Sequence, residues 1–138
     1  MASRPVRIQG YDHVGIRVSD ARRALEFYER LGFQVDPNFT NDEVAEIVAS
    51  DGTRINLIFN GMPRRNNVLL DEPLKWPGYT HGAFIVESLQ ALLDWATNEG
   101  VEITEGPVDW GRRLTCFLRD PDGNVLEFNE LKDANDVS

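Results

Sequence analysis

The chain has 138 residues, 41% hydrophobic and 27% charged, with 14 Lys plus Arg against 23 Asp plus Glu and a formal charge of -9. That composition fits one ordinary globular domain over 1–138, able to bury about 70% of its unfolded surface. The acidic balance argues against nucleic acid or an anionic membrane as partner, since both need a basic face. No apolar run of about 18 residues predicts a membrane span, and MASRPVRIQG lacks the apolar stretch of a secretory signal. A single cysteine, Cys116, cannot form an internal disulfide, so a cytoplasmic location is expected.

The first element is a strand in GYDHVGIRV (10–18), where Val14, Ile16 and Val18 alternate with His13, Gly15 and Arg17. A helix is expected near 20–31, because Ala21, Ala24, Leu25, Tyr28 and Leu31 recur at helical spacing behind Ser19 or Asp20 as N-cap. Gly32 follows as a residue tolerant of positive φ. Strands are expected near 33–39, 43–49 and 54–60, the last two joined at Asp51-Gly52. Residues 61–77 carry three prolines and little periodicity, which predicts a long connection bordering a cleft. GYTHGAFIV (78–86) then opens a second strand and helix, with Ser88 as cap, Leu89, Leu92, Leu93 and Ala96 on one face, and Gly100 at the end. Strands near 101–105, 112–119 and 124–131 complete this unit, the last pair turning at Asp120-Pro121-Asp122-Gly123. The tail, 132–138, is polar and expected to fray.

The second unit repeats the first. An offset of 68 (81 minus 13) overlays GYDHVGIRVSDARRALEFYERLGFQV on GYTHGAFIVESLQALLDWATNEGVEI without a gap, placing His13 on His81 and Phe27 on Trp95. An offset of 71 (122 minus 51) overlays TRINLIFN on NVLEFNEL, so Asn56 matches Glu127. Each copy reads as strand, helix and three strands, over about 8–60 and 78–131.

Strand alternation then gathers polar side chains on one face. The runs Val14/Ile16/Val18 and Gly82/Phe84/Val86 should pack on the helices, which turns both histidines to the other side. In the last strand Leu126 and Phe128 take the helix side and leave Val125, Glu127 and Asn129 with the histidines. Asn56 does the same opposite Ile55, Leu57 and Phe59. Two neutral imidazoles and one carboxylate are a common ligand set for Fe(II), Zn, Mn, Co or Ni, with positions left for water or a chelating substrate. Asn56 could add an amide oxygen or only a supporting hydrogen bond. A lone strand histidine is more often structural. Here the symmetric placement, and the cost of several kcal/mol of burying Glu127 unpaired, favour a metal.

Such an ion would act as a Lewis acid on two neighbouring substrate oxygens, and proton transfer would need a base. Glu127 is one catalytic candidate. Glu46 is the other, because the offset of 71 sets Ala45 and Ile47 with Cys116 and Leu118 on the helix side and leaves Glu46 with Val44 and Val48 on the histidine face. The alternative for Glu46 is an ion-paired strand residue. Arg113 could bind a carboxylate or phosphate bidentately, as could Arg64-Arg65. Trp76, Trp110 and Tyr79 are candidate pocket walls, Phe117 and Ile58 would make the face partly apolar, and Cys116 falls in the core.

DHVGIRVSDARRALEFYERLGF, YTHGAFIV and FLRDPDGNVLEFNEL together resemble the vicinal oxygen chelate superfamily, over about residues 8 to 131. That group includes glyoxalase I, extradiol dioxygenases, methylmalonyl-CoA epimerase, fosfomycin-resistance transferases and bleomycin-binding proteins. The resemblance implies an α+β fold of two tandem βαβββ modules whose eight strands form a curled sheet around a cup. It also implies a divalent metal ion held by His13, His81 and Glu127. Where glyoxalase I has a glutamate that serves its proton shuttle, this chain has Asn56, closer to the epimerase branch with its glutamine ligand. Extradiol dioxygenases share the two-His-one-carboxylate set but keep a further histidine, for which Tyr79 would have to substitute. The thiol transferases carry threonine at the place of Gly15, and bleomycin-type binders lack the triad. The resulting expectation is a metal-dependent isomerase, epimerase or lyase acting on a small substrate chelated through adjacent oxygens. The alternatives are an Fe(II) ring-cleaving dioxygenase and a non-enzymatic drug- or metabolite-binding protein. A homodimer is expected, since the sheets leave edges to cover and relatives commonly pair.

Overall fold

A computed structural model describes residues 5–63 and 66–132; Arg64-Arg65 and positions 133–138 of the polar tail lie outside the described residues. Module one comprises β1 (Val14–Arg17), α1 (Ala21–Arg30), β2 (Gln34–Asp36), β3 (Val44–Val48) and β4 (Arg54–Ile58). Module two comprises β5 (His81–Ile85), α2 (Leu89–Glu99), β6 (Ile103–Asp109), β7 (Arg113–Arg119) and β8 (Val125–Leu131). Both are βαβββ units, as the repeat predicts, and the class is α+β. The eight strands divide into two four-stranded sheets, β1-β4-β3-β2 and β5-β8-β7-β6. Among the described residues no barrel closes, and β1 and β5 are each an edge of their own sheet. Among the described residues no helix is long and apolar enough to cross a membrane.

Register follows from the helix crossover, which lays the first strand of each module parallel to the last. Gly15 pairs with Asn56 and Ala83 with Glu127. Antiparallel neighbours set Glu46 beside Asn56 and Phe117 beside Glu127. Asp20 caps α1 by accepting from the Arg23 amide at 2.9 Å, and Ser88 caps α2 by accepting from the Ala91 amide at 3.1 Å. Gly100 ends α2 at φ 70°, a conformation that glycine adopts without the Cβ penalty.

Both helices cover the same side of their sheets and share one core. Val18, Tyr28, Ile47, Ile55, Leu57, Leu118 and Leu126 are fully buried within it. Phe27 of α1 meets Trp95 of α2, its repeat counterpart, edge to face at 6.3 Å. A polar joint ties the modules at one end: Tyr28 donates to the buried Asp120 at 2.8 Å, Ser19 donates to Asp122, and Asn124 Nδ2 donates to the Arg17 carbonyl at 3.1 Å.

Two strands differ from expectation. β2 stops at Asp36, because Asp36 caps a short 3₁₀ turn, Pro37–Phe39, through the Asn38 amide at 3.0 Å. β6 continues past 105 to Asp109, with its register slipping at Glu105 and Val108. As a sheet edge it tolerates Pro107. Gly106 adopts φ 87°, and a Cβ there would lie 2.5 Å from the Thr115 carbonyl oxygen, so glycine alone fits.

Candidate metal centre

The predicted faces are the observed ones. Val14, Ile16, Phe84 and Val86 pack on the core, while Gly15, Arg17, Ala83 and Ile85 are exposed on the opposite side with the histidines. His81 opens β5, and its Nε2 lies 3.2 Å from Glu127 Oε1. The Phe117 ring stands edge-on to the imidazole at 5.5 Å. Thr80 Oγ1 sits 2.9 Å from His81 Nδ1, and Asp12 Oδ1 sits 2.6 Å from His13 Nδ1. Asp12 and Thr80 occupy the same place in the repeat. The Asp12 carboxylate, which can only accept, holds a proton on His13 Nδ1 and leaves its Nε2 lone pair outward, as a metal requires; the Thr80 hydroxyl can accept from or donate to His81 Nδ1.

Glu127 is equally prepared. Its Oε2 accepts from Asn129 Nδ2 at 2.7 Å, and Asn129 Oδ1 in turn accepts from the Thr115 hydroxyl. Asn56 supplies the sharpest observation: its Oδ1 is buried with no hydrogen-bond partner among the described residues. A buried polar oxygen left unpaired costs about 1–3 kcal/mol, and a cation would satisfy it. Two imidazole nitrogens, one carboxylate oxygen and one amide oxygen fit a divalent first-row cation in kind.

The four residues stand as two pairs, His81 with Glu127 on one sheet and His13 with Asn56 on the other. Among the described residues no three His, Cys, Asp or Glu side chains come together as one ion's ligands. The reason lies in how the sheets meet. His81 is level with Val125 at the start of β8, and the neighbouring Asn124 holds the carbonyl of Arg17 at the far end of β1. His13 precedes the near end of β1, four residues back, or about 13 Å at the rise of an extended strand. The structure therefore joins His81 to Glu127 and sets His13 and Asn56 on the other sheet. A cleft of about 890 Å³ runs between β1 and β5, reached by Asp12, Arg17, Tyr79, Thr80 and His81 and bordered by linker residues 66–69, as the sequence suggests.

The remaining candidates scatter. Glu46 reaches the expected face beside Asn56, but its carboxylate is engaged by Arg54, which also binds Asp36 at 3.0 Å and stacks over Phe39 at 5.7 Å. Arg113 opens β7 on the face of Glu127, exposed and without an acidic partner among the described residues. Tyr79 is 97% exposed on the cleft, whereas Trp76 and Trp110 are exposed elsewhere. Cys116 is buried, and burial pushes its thiol up to about 11, so it is inert core. Sequence reading assigned no role to Asp12, Thr80, Thr115 or Asn129. The repeat offset flags the first two, and alternation already placed Asn129 beside Glu127.

Residues 10–128 match the Glyoxalase/Bleomycin resistance protein/Dioxygenase superfamily. A glyoxalase domain-containing protein of Mycosarcoma maydis is 26% identical over 136 residues, covering 95% of this chain and 73% of that protein. A lactoylglutathione lyase of Escherichia coli O157:H7 is 27% identical, covering 88% of this chain and 93% of the enzyme. A glyoxalase/dioxygenase crystal structure from Nostoc punctiforme superposes with a TM-score of 0.77 at 19% identity, over 96% of this chain and 98% of that one, which shows a shared fold. Repeat, fold and matched residues agree, and the chain belongs to the glyoxalase/bleomycin resistance protein/dioxygenase superfamily.

Proposed function

We propose that this protein is a metal-dependent isomerase, epimerase or lyase of the glyoxalase kind, acting on a small substrate that presents two adjacent oxygens. The observation that carries this reading is the His81–Glu127 pair, with Nε2 and Oε1 3.2 Å apart and the other donor atom of each already occupied. His13 and the unpartnered amide oxygen of Asn56 supply its counterpart on the other sheet. A divalent ion of the Fe, Zn, Mn, Ni or Co group bound by these residues would supply Lewis-acid stabilisation of charge developing on the substrate oxygens. The chain's own groups bind and orient. Arg113 takes an anionic end of the substrate, Tyr79 lies at the mouth of the cleft, and Glu127 Oε1 is the carboxylate oxygen facing the site, able to serve as ligand or as proton acceptor but not as both at once. Glu46, committed to Arg54, acts in support of the sheet. Lactoylglutathione lyases among the relatives favour the lyase branch, and the amide at Asn56 favours the epimerase branch.

Half-sites on separate sheets, with β1 and β5 as exposed edges, support a homodimer in which His13 and Asn56 of one copy face His81 and Glu127 of the other. The first test is metal content of protein purified without chelators. About one equivalent of a transition metal per chain is expected, falling away in His81→Ala and Glu127→Ala. The metal-loaded protein should then convert hemithioacetals, or exchange the proton beside a thioester carbonyl in deuterium oxide. No ion bound by the parent, even after reconstitution, sinks this reading and puts a small-molecule binding protein in its place.

A further inference from the structure

Thr115 and Asn129 stand behind Glu127 in β7 and β8, 2% and 4% exposed, on the same sheet face. Their bonds have a direction. The Thr115 hydroxyl donates to Asn129 Oδ1, which obliges the amide nitrogen of Asn129 to point the other way, and that nitrogen donates to Glu127 Oε2 at 2.7 Å. A flipped amide would set oxygen against oxygen at the Glu127 end, while the Thr115 hydroxyl would simply turn to accept from the amide nitrogen. The carboxylate, which can only accept, therefore fixes which way the amide points; the Thr115 hydroxyl donates to the amide oxygen, and together they hold Glu127 Oε2. With Oε2 held, Oε1 is the oxygen left facing His81 Nε2.

The repeat contains its own control. In module one the places of Thr115 and Asn129 are taken by Val44 and Ile58, paired in the same register. There the ligand-position side chain is Asn56, a neutral amide, and no such chain of bonds reaches it; its Oδ1 has no partner among the described residues. The relay accompanies the carboxylate and is missing where the carboxylate is missing.

We propose that Thr115 and Asn129 are positioning residues that clamp Glu127 so that it offers one oxygen to a metal ion, and that this selects small transition ions over calcium. The inference rests on the metal reading above. A carboxylate with one oxygen tied off binds as a single-oxygen ligand, which suits four- to six-coordinate first-row ions. Calcium gathers six to eight oxygens and often takes carboxylates through both. Outer hydrogen-bond partners of metal ligands typically carry 10- to 100-fold in affinity.

The test uses the full chain, with Zn²⁺ affinity measured by competition against a chromophoric chelator and Ca²⁺ affinity measured alongside. Thr115→Val keeps the shape and removes the donor, and Thr115→Ser restores the hydroxyl. Zn²⁺ affinity is expected to fall about 10- to 100-fold in Thr115→Val, to return in Thr115→Ser, and the preference for Zn²⁺ over Ca²⁺ to narrow in the valine variant. Unchanged affinity and preference in a folded Thr115→Val, with the parent binding Zn²⁺, overturns the relay alone. Failure of the parent to bind overturns the metal reading and this inference with it. Should Thr115→Val not fold, the Asn129 side-chain amide of the metal-free parent decides: slow hydrogen exchange supports the clamp, and exchange at the rate of an exposed asparagine refutes it.

Discussion

Asp120 is only 4% exposed, yet its carboxylate accepts from the Tyr28 hydroxyl at 2.8 Å and from Asn124 Nδ2, the Asp122 amide and the Asn124 amide, each at 2.9 Å. Burial pushes its pKa up, and those four donors oppose the shift. Tyr28→Phe would remove the one donor that comes from the other module and leave Asp120 Oδ2 with Asn124 Nδ2 alone. Urea unfolding should show a loss of about 1–3 kcal/mol with an unchanged denaturant slope; a loss near zero would mean that the joint holds without this bond. The sequence shows Asp-Pro-Asp-Gly as a turn, but a turn signal cannot reveal that a tyrosine 92 residues earlier reaches it. Asn129 was legible by alternation, as was Glu46 on its face. Thr115 was not, because its role depends on which way the Asn129 amide points, and that is a rotamer rather than a pattern.

At the scale of elements, the linker shows how a stretch without periodicity acquires order. Asp71 accepts from both Nη atoms of Arg119 in β7, at 2.6 and 2.8 Å, and from the Asn67 amide at 2.6 Å, while Asn67 Nδ2 reaches the Gly123 carbonyl at 3.2 Å. The linker is strapped to module two beside the cleft. Arg119 and the Asn67 amide hold the Asp71 carboxyl well below the usual carboxylate range. A depressed folded pKa contributes stability that is present above the unfolded value, near 4, and is lost as pH falls through the depressed one. Asp71→Asn should therefore speed backbone hydrogen exchange over 66–76 at neutral pH, and the gap from the parent should close as pH drops below about 4. Equal exchange at pH 7 would show that the strap does not order the segment. Two strand ends escaped sequence reading for local reasons: Asp36 prefers to cap a turn, and Pro107 reads as a break although an edge strand accommodates it.

For the whole molecule, the repeat showed both modules and both faces, because periodicity of two dictates which side of a strand each residue takes. It could not show which second module lies opposite a given first module, since a module of a second copy presents the same face as the chain's own. The resemblance implied an α+β fold of two tandem βαβββ modules, and the chain has it, as two four-stranded sheets with His13 and Asn56 on the side of one and His81 and Glu127 on the other. If copies complete each other, the defect in one variant is separable from the defect in another. His13→Ala spoils the first half-site and Glu127→Ala the second, so each variant alone should lose its metal. After the two are unfolded together and refolded, half of the dimers would be mixed. In a mixed dimer one site carries both lesions, and the other combines an intact half from each chain. The mixture should thus regain about one quarter of the parental metal content under random pairing, and light scattering of the parent should report twice the 15.6 kDa chain mass. If the four ligands instead come together within one chain, every site in the mixture keeps a lesion. No metal returns in that case, and a monomeric parent with full metal content would settle the site inside a single copy.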